Sequence, residues 1–277
     1  MNTVGAAVGS AARAFTRSLR AEALKAAGLP GVWLGAALAL FLPAALAYSS
    51  NRDMPSLLAA GDPVALDHLP DAGIDSILLG TAGAVVLAAC VMVSEYTRTP
   101  RTNGSSRQVL TTMLVAPRRG ACIAAKLVIV LAVTAALLAL AAAAALTVTW
   151  HELGSWAPSS PVPWRRLSGM LTWWIFNATA SMALAAATRS SLVSMTALIA
   201  GSSLVSPGAL LLNGTDVPAV ARLLPDTAAF RLMMSQATWN SGRLSEALSV
   251  PMAAAVCAAW VIGCTTACCW IWMRRDA

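Results

Sequence analysis

Residue types that could do chemistry are scarce in this sequence of 277 residues. His151 and Glu152 begin the stretch HELGS, which lacks the second histidine of the zinc-protease pattern H-E-x-x-H. The only lysines, Lys25 and Lys126, stand outside any phosphate-binding G-x-x-x-x-G-K-[ST] pattern. We therefore expect no catalytic, cofactor-binding or metal-binding residues, and no ATP hydrolysis by this chain itself.

The cysteines are also placed for packing rather than for chemistry. All of them fall inside or at the edge of apolar segments, at Cys90, Cys122, Cys257, Cys264, Cys268 and Cys269. Cys264 and Cys268 share a helix face, but no histidine or carboxylate joins them there. A small apolar packing residue is the interpretation that we adopt for each of them.

The composition predicts a membrane protein. Hydrophobic residues make up 58% of the chain and charged residues 11%, with a mean hydropathy of +0.69. A helix needs about 20 mostly apolar residues to cross a bilayer. Candidate spans cover 31–48, 74–93, 121–148, 167–187, 192–212 and 251–273. The third apolar run exceeds the thickness of the hydrocarbon core, so we expect it to tilt or to project beyond the membrane. The fold class is therefore all-α, a single membrane domain over 1–277 with six transmembrane helices.

The charge distribution predicts the orientation of these spans. With six spans, thirteen of the 19 basic residues fall on one side of the membrane together with three of the 12 acids. Short cytoplasmic loops carry the excess of Lys and Arg, so both termini are expected in the cytoplasm. The basic residues show no interleaved aromatics of the kind that bind single strands, and no nucleic-acid partner is expected.

Two segments outside the spans have helical patterns. Residues 8–27 place Arg13, Arg17 and Arg20 on one face, which predicts an amphipathic helix on the cytoplasmic membrane surface or, alternatively, a basic tail. Glu22 falls on its apolar side and weakens that pattern. The outer segment 213–250 predicts either short helices that enter the outer leaflet or a plain loop.

The cytoplasmic loop 94–120 contains SSRQVLTTMLVA, which predicts a short helix. One stripe of that helix is apolar and the flanking positions are polar, over Arg107, Val109, Leu110, Thr111, Met113 and Leu114. Such a stripe either packs on its own membrane domain or docks into a partner's groove. Arg118, Arg119 and Lys126 follow and are expected to hold the third span against anionic headgroups.

Polar side chains inside the spans are few and uncharged. They include Thr172, Asn177, Ser181 and Ser202, which we take as candidate residues of a permeation pathway. The alternative is that they form hydrogen bonds between packed helices.

The order of these elements resembles the membrane subunits of type-2 ATP-binding-cassette (ABC) exporters, particularly the short actinobacterial kind. The residues that carry the resemblance are Glu95, Tyr96, Gly104, Arg107, Pro117, Arg118, Arg119 and Lys126. The spacing from Glu95 to Gly104 is longer than the commonest pattern of that family.

The resemblance implies a permease that works with a separate P-loop ATPase chain, which would bind ATP and Mg²⁺ while the permease holds no cofactor. It also implies a second permease chain, identical or a sister, and export of a hydrophobic drug, lipid or peptide across the bacterial plasma membrane. The helix in 94–120 would be the coupling helix. We expect Glu95 to link it to the surface helix by pairing with Arg13, Arg17 or Arg20.

Two other functions stay open from the residues alone. One is a membrane receptor or immunity protein that binds a peptide or lipid without transport. The other is a membrane enzyme such as a lipid transferase, against which the lack of intramembrane acids, bases and metal ligands counts.

Overall fold

The computed structural model describes residues 3–96, 119–158, 162–201, 219–235 and 246–274, with side chains from residue 15 onward. Within these ranges the regular structure is helical throughout. The helices are α1 Thr3–Ala27, α2 Pro30–Asn51, α3 Met54–Ala59, α4 Pro63–His68, α5 Ile74–Leu79, α6 Thr81–Val93, α7 Arg119–Leu153, α8 Trp164–Thr188, α9 Ser191–Ile199, α10 Pro225–Met233 and α11 Val250–Arg274. Short 3-10 turns occupy Leu69–Asp71, Gly154–Trp156 and Ala221–Leu223.

Among the described residues, five helical segments are long and apolar enough to cross a membrane. They are Pro30–Ala59, Ile74–Val93, Arg119–Trp156, Trp164–Thr188 and Val250–Arg274. The predicted helical fold is thereby confirmed for the described residues, and these segments are consistent with a membrane protein. Of the span predicted at 192–212, α9 and the two residues after it are described, so the count of six stays a prediction. Helix α7 has 35 residues and is about 52 Å long, well beyond the thickness of a hydrocarbon core.

The stretch GLPG ends one helix and starts the next. Helix α1 stops at Ala27, and Pro30 takes the first position of α2, where the missing N–H of proline costs nothing. The predicted surface helix is therefore a helix in the structure, and it packs along α7. Its position on a membrane surface stays a prediction.

The core is built from α2, α6, α7 and α8, with α6 the most enclosed of the spans. Helices α2 and α6 approach closely because glycines face each other. A Cβ on Gly35 would meet the backbone oxygen of Gly83 and the backbone nitrogen of Leu87, each at 2.8 Å. Small residues let helices pack at backbone contact in this way. Gly80 separates α5 from α6 where the ring of Trp174 leaves no space for a side chain.

The segment 213–250 contains short helical elements in its described part. The turn Ala221–Leu223 leads into α10, which packs against α8 and α11. Most of α10 is buried. Short helices are therefore the correct alternative for this part of the segment, whereas their depth in an outer leaflet stays a prediction.

Candidate functional site

The structure describes only part of the predicted cytoplasmic site. Glu95 and Tyr96 follow the end of α6, while Arg119 and Lys126 lie in the first two turns of α7. The remaining predicted positions lie outside the described residues, at Gly104, Arg107, Val109, Leu110, Thr111, Met113, Leu114, Pro117 and Arg118. The structure thus shows the residues that flank 97–118, namely Glu95 and Tyr96 before it and Arg119 and Lys126 after it, and we call these the loop anchors.

Four charged side chains form a buried cluster at these anchors, and we call Glu22, Lys25, Glu95 and Lys126 the ion cluster. The Nζ atom of Lys126 lies 2.5 Å from a carboxylate oxygen of Glu22 and 2.7 Å from one of Glu95. Lys25 pairs with the same oxygen of Glu95. Two carboxylates and two ammonium groups are present, so each buried charge has an opposite charge beside it, which offsets part of the cost of burial.

The position of each member follows from the helix that carries it or, for Glu95, from the helix that precedes it. Glu22 and Lys25 are three residues apart on α1 and share the face that meets α7. Glu95 lies two residues beyond α6, where the N–H of Tyr96 closes a turn onto the carbonyl of Val93 at 2.8 Å. Lys126 and Glu95 are 0% exposed, so water does not screen their attraction. The cluster therefore ties α1, the end of α6 and the start of α7 together.

The electrostatics favour a charged Glu95. Burial by itself would raise the pKa of this carboxyl group, but the nearby ammonium groups of Lys126 and Lys25 outweigh it and lower the pKa below its ordinary value. Glu95 is therefore a permanent anion at neutral pH.

Three sequence-based expectations are corrected here. Lys126 is enclosed by protein and does not reach anionic headgroups, because two carboxylates hold it inward. Glu95 pairs with Lys25 of α1, a residue that the expectation did not name, whereas Arg17 and Arg20 are exposed and the side chain of Arg13 lies outside the described residues. Glu22, which weakened the amphipathic pattern of α1, belongs on the buried face because Lys126 is there to pair with it. Headgroup anchoring by Arg119, which is half-buried, stays a prediction.

Tyr96 faces a different set of elements. The guanidinium carbon of Arg189, at the α8–α9 turn, lies 5.5 Å from the centre of the Tyr96 ring. The ring of Trp272, near the end of α11, meets Tyr96 edge-on with centroids 6.4 Å apart. Both are favourable geometries for an aromatic ring. Sequence patterns did not indicate either partner.

The candidate pathway residues are used in packing. Ser181 donates to the carbonyl of Val85 at 2.8 Å and shares a second bond of 2.8 Å with Ser194, which joins α6, α8 and α9. Asn177 donates to the carbonyl of Trp173 and Thr172 to that of Ser168, both in their own helix. These three residues thus take the alternative of satisfying bonds within and between helices. Ser202 lies outside the described residues.

A second buried group of charged residues lies near the start of the 74–93 span, at the end opposite the ion cluster. It was not predicted from the sequence. Arg166 donates to the carbonyls of Met233 and Pro70 at 2.5 and 2.7 Å and pairs with Asp71. Ser235 adds two bonds to the Asp71 carboxylate, at 2.9 and 3.0 Å. The position of Arg166 at the start of the span Trp164–Thr188 was the one sequence feature that could have indicated this group. This group joins the chain before α5, the start of α8 and the end of α10.

Comparison with known proteins adds no family to this picture. No protein-family model, curated protein or solved structure matches the chain. The functional argument therefore rests on the residues, their geometry and the resemblance in the loop pattern.

Proposed function

We propose that this chain is the transmembrane subunit of an ATP-driven exporter of the ABC class in the bacterial plasma membrane. It works with a separate P-loop ATPase chain and with a second permease chain, either identical or a sister. The ATPase supplies the bound ATP and Mg²⁺. The loop pattern from Glu95 to Lys126 is the sequence basis of this proposal.

The observation that carries the proposal is the ion cluster on both sides of residues 97–118. Glu95 precedes this loop and Lys126 follows it, and the two are bound to each other and to α1. Breaking a buried pair by removing one partner costs about 3–5 kcal/mol. A push on the loop is therefore passed to α1, α6 and α7 as a unit, because the anchors resist separate movement. A coupling helix needs such a rigid attachment to drive the spans.

The proposed cargo is a hydrophobic drug, lipid or peptide. The buried ion pairs Lys126–Glu95 and Arg166–Asp71 lie near the ends of the described spans, and the central side chains of Asn177 and Ser181 donate to carbonyl groups of the protein. Asn177 and Ser181 are thus engaged with protein carbonyl groups, and we propose an uncharged cargo on that basis. Apolar cargo avoids the desolvation cost that charge would meet there.

The first experiment is purification of the tagged full-length chain in mild detergent, with the co-purifying proteins identified. We expect a stoichiometric P-loop ATPase. Leu110→Asp or Met113→Asp should abolish co-purification, because a charge in the apolar stripe is expensive to bury in a partner's groove. Leu66→Asp, at an exposed apolar position in α4, is the matched control and should retain the ATPase.

The coupling itself is tested in the purified complex. Glu95→Gln should retain the ATPase but change its stimulation by the permease, because the variant loosens the loop anchor without touching the predicted groove contact. A chain that purifies alone in all versions would contradict the proposal and favour a membrane receptor without transport.

A further inference from the structure

The dipeptide Glu95–Tyr96 contacts two separate groups of helices. The carboxylate of Glu95 binds basic residues of α1 and α7. The ring of Tyr96 meets Arg189 at the α8–α9 turn and Trp272 on α11. Two adjacent residues thus contact α1, α7, α11 and the turn between α8 and α9. Tyr96, the last described residue before 97–118, therefore contacts the α8–α9 turn and α11 through its ring.

Two described side chains contact the ring of Tyr96. Trp272 is 5% exposed, so one of these partners is itself buried. Arg189 is exposed and covers the ring through its guanidinium group. The planar guanidinium stacks on an aromatic face in a way that a lysine ammonium group does not reproduce. The ring is thereby attached to α11 and to the α8–α9 turn at once.

The backbone of Arg189 supports a specific role for its side chain. This residue ends α8 with φ 56° and ψ 24°, the left-handed conformation in which glycine is the usual residue. Among the described residues it is the one non-glycine with positive φ. An arginine in this conformation motivates the hypothesis that its side chain has a role there.

We propose that Tyr96, held between Arg189 and Trp272, is a positioning residue that transmits displacement of residues 97–118 to the α8–α9 turn and to α11. Glu95 transmits the same displacement to α1 and α7. The loop movement thus follows two branches, one through Glu95 to α1 and α7 and one through Tyr96 to the α8–α9 turn and α11. This inference rests on the proposed function, because ATP-driven movement of the loop is its input.

The test uses the full complex with its co-purified ATPase. The six native cysteines are replaced by alanine, and a single cysteine is introduced for a spin label at Leu24 on α1 or at Leu192 on α9. Both leucines are more than 60% exposed, so a label fits without repacking. Label mobility is recorded in the resting state and after trapping with Mg-ATP and vanadate. We expect a response at both labels in the parent complex.

The variants should separate the two branches. Tyr96→Leu should reduce the response at Leu192 by about fivefold or more while the response at Leu24 persists. Glu95→Gln should do the reverse. Tyr96→Phe keeps the ring and should keep both responses.

Arg189→Gly separates transmission from structural support. Glycine relieves the left-handed backbone, so the variant should be at least as stable as the parent. It should nevertheless weaken the response at Leu192, because the guanidinium group is gone. A purely structural Arg189 would show the opposite, with stability lowered or the response unchanged.

The failures of the two proposals can be told apart. A parent complex that responds at both labels, with Tyr96→Leu still responding at Leu192, would overturn this inference and leave the exporter proposal standing. Equal loss at both labels in Tyr96→Leu would also overturn it. A chain that never co-purifies with an ATPase would overturn the proposed function and this inference with it.

Discussion

Removal of the Lys126 ammonium group is the sharpest test of the ion cluster. Lys126→Met keeps the length and apolar stem of the side chain but deletes the charge that Glu22 and Glu95 share. The two carboxylates then face each other on the buried side of α1, and Lys25 is the one remaining cation of the cluster.

The magnitude follows from the geometry. The two carboxylate oxygens lie 2.5 and 2.7 Å from the same Nζ atom, so at most about 5.2 Å separates them, and at an effective dielectric constant of about 20 they repel by about 3 kcal/mol. Measured losses on breaking a buried pair by removing one partner are about 3–5 kcal/mol. We therefore expect Lys126→Met to lower the free energy of unfolding by about 3–5 kcal/mol.

The assay is unfolding of the purified chain by SDS in mixed micelles, followed by the fluorescence of its ten tryptophans. Lys25→Met is the matched control. The side chain of Lys25 is 19% exposed and Glu95 keeps Lys126 as a partner, so this variant should lose less stability than Lys126→Met.

A combined variant separates lost charge balance from lost packing. Glu22→Gln and Glu95→Gln, added to Lys126→Met, leave neutral groups of nearly the same volume. This variant should recover at least about 2 kcal/mol relative to Lys126→Met alone, since no buried carboxylate is left without a partner. If Lys126→Met costs no more than Lys25→Met, or if the combined variant is the less stable one, the reasoning from uncompensated charge is wrong.

Three further predictions use the same unfolding assay. The lowered pKa of Glu95 means that its carboxylate stabilises the fold above the ordinary pKa of about 4.3 and that this contribution is lost as the pH falls through the folded-state pKa. The stability gap between the parent and Glu95→Gln should therefore shrink at acidic pH, and a gap independent of pH would contradict this. Gly35→Ala should cost about 1–3 kcal/mol because its methyl group meets the Gly83 oxygen, whereas Gly263→Ala, with nothing within 4 Å, should change little. Arg166→Met should cost about 3–5 kcal/mol by leaving a buried carboxylate without its guanidinium group, and a loss below 1 kcal/mol would show that this pair is dispensable.

The spans were predictable because their signal is local. A run of apolar residues with the length of a bilayer indicates a helix whatever its neighbours are, and the break at GLPG follows from proline and glycine themselves. The short helices of 219–235 were harder to predict. Their apolar and charged residues alternate without a clear period, and burial against α8 and α11 decides their conformation.

The candidate site also has a part that the local sequence predicts and a part that it does not. The positions of Glu95 and Tyr96 beside the loop follow from where an apolar run ends. The partners of these residues cannot be predicted in this way. Lys25 is 70 residues from Glu95 and Arg189 is 93 residues from Tyr96, and no periodicity in the sequence relates them. Lys126 was misassigned for this reason. A lysine at the end of a span has the composition of a headgroup anchor until a carboxylate is known to face it.

By itself the sequence determined the kind of environment, the helical character, the main apolar segments and the loop that carries the resemblance to exporters. Each of these depends on the transfer of side chains from water to an apolar medium or on the backbone preferences of proline and glycine, which act within one segment. The tertiary structure alone decided that Glu22 and Lys126 are buried partners and that Ser181 is a packing residue. It also decided that Tyr96 meets α11. Pairing of this kind depends on which faces of distant helices come together, and buried charge is stable only where that packing supplies an opposite charge.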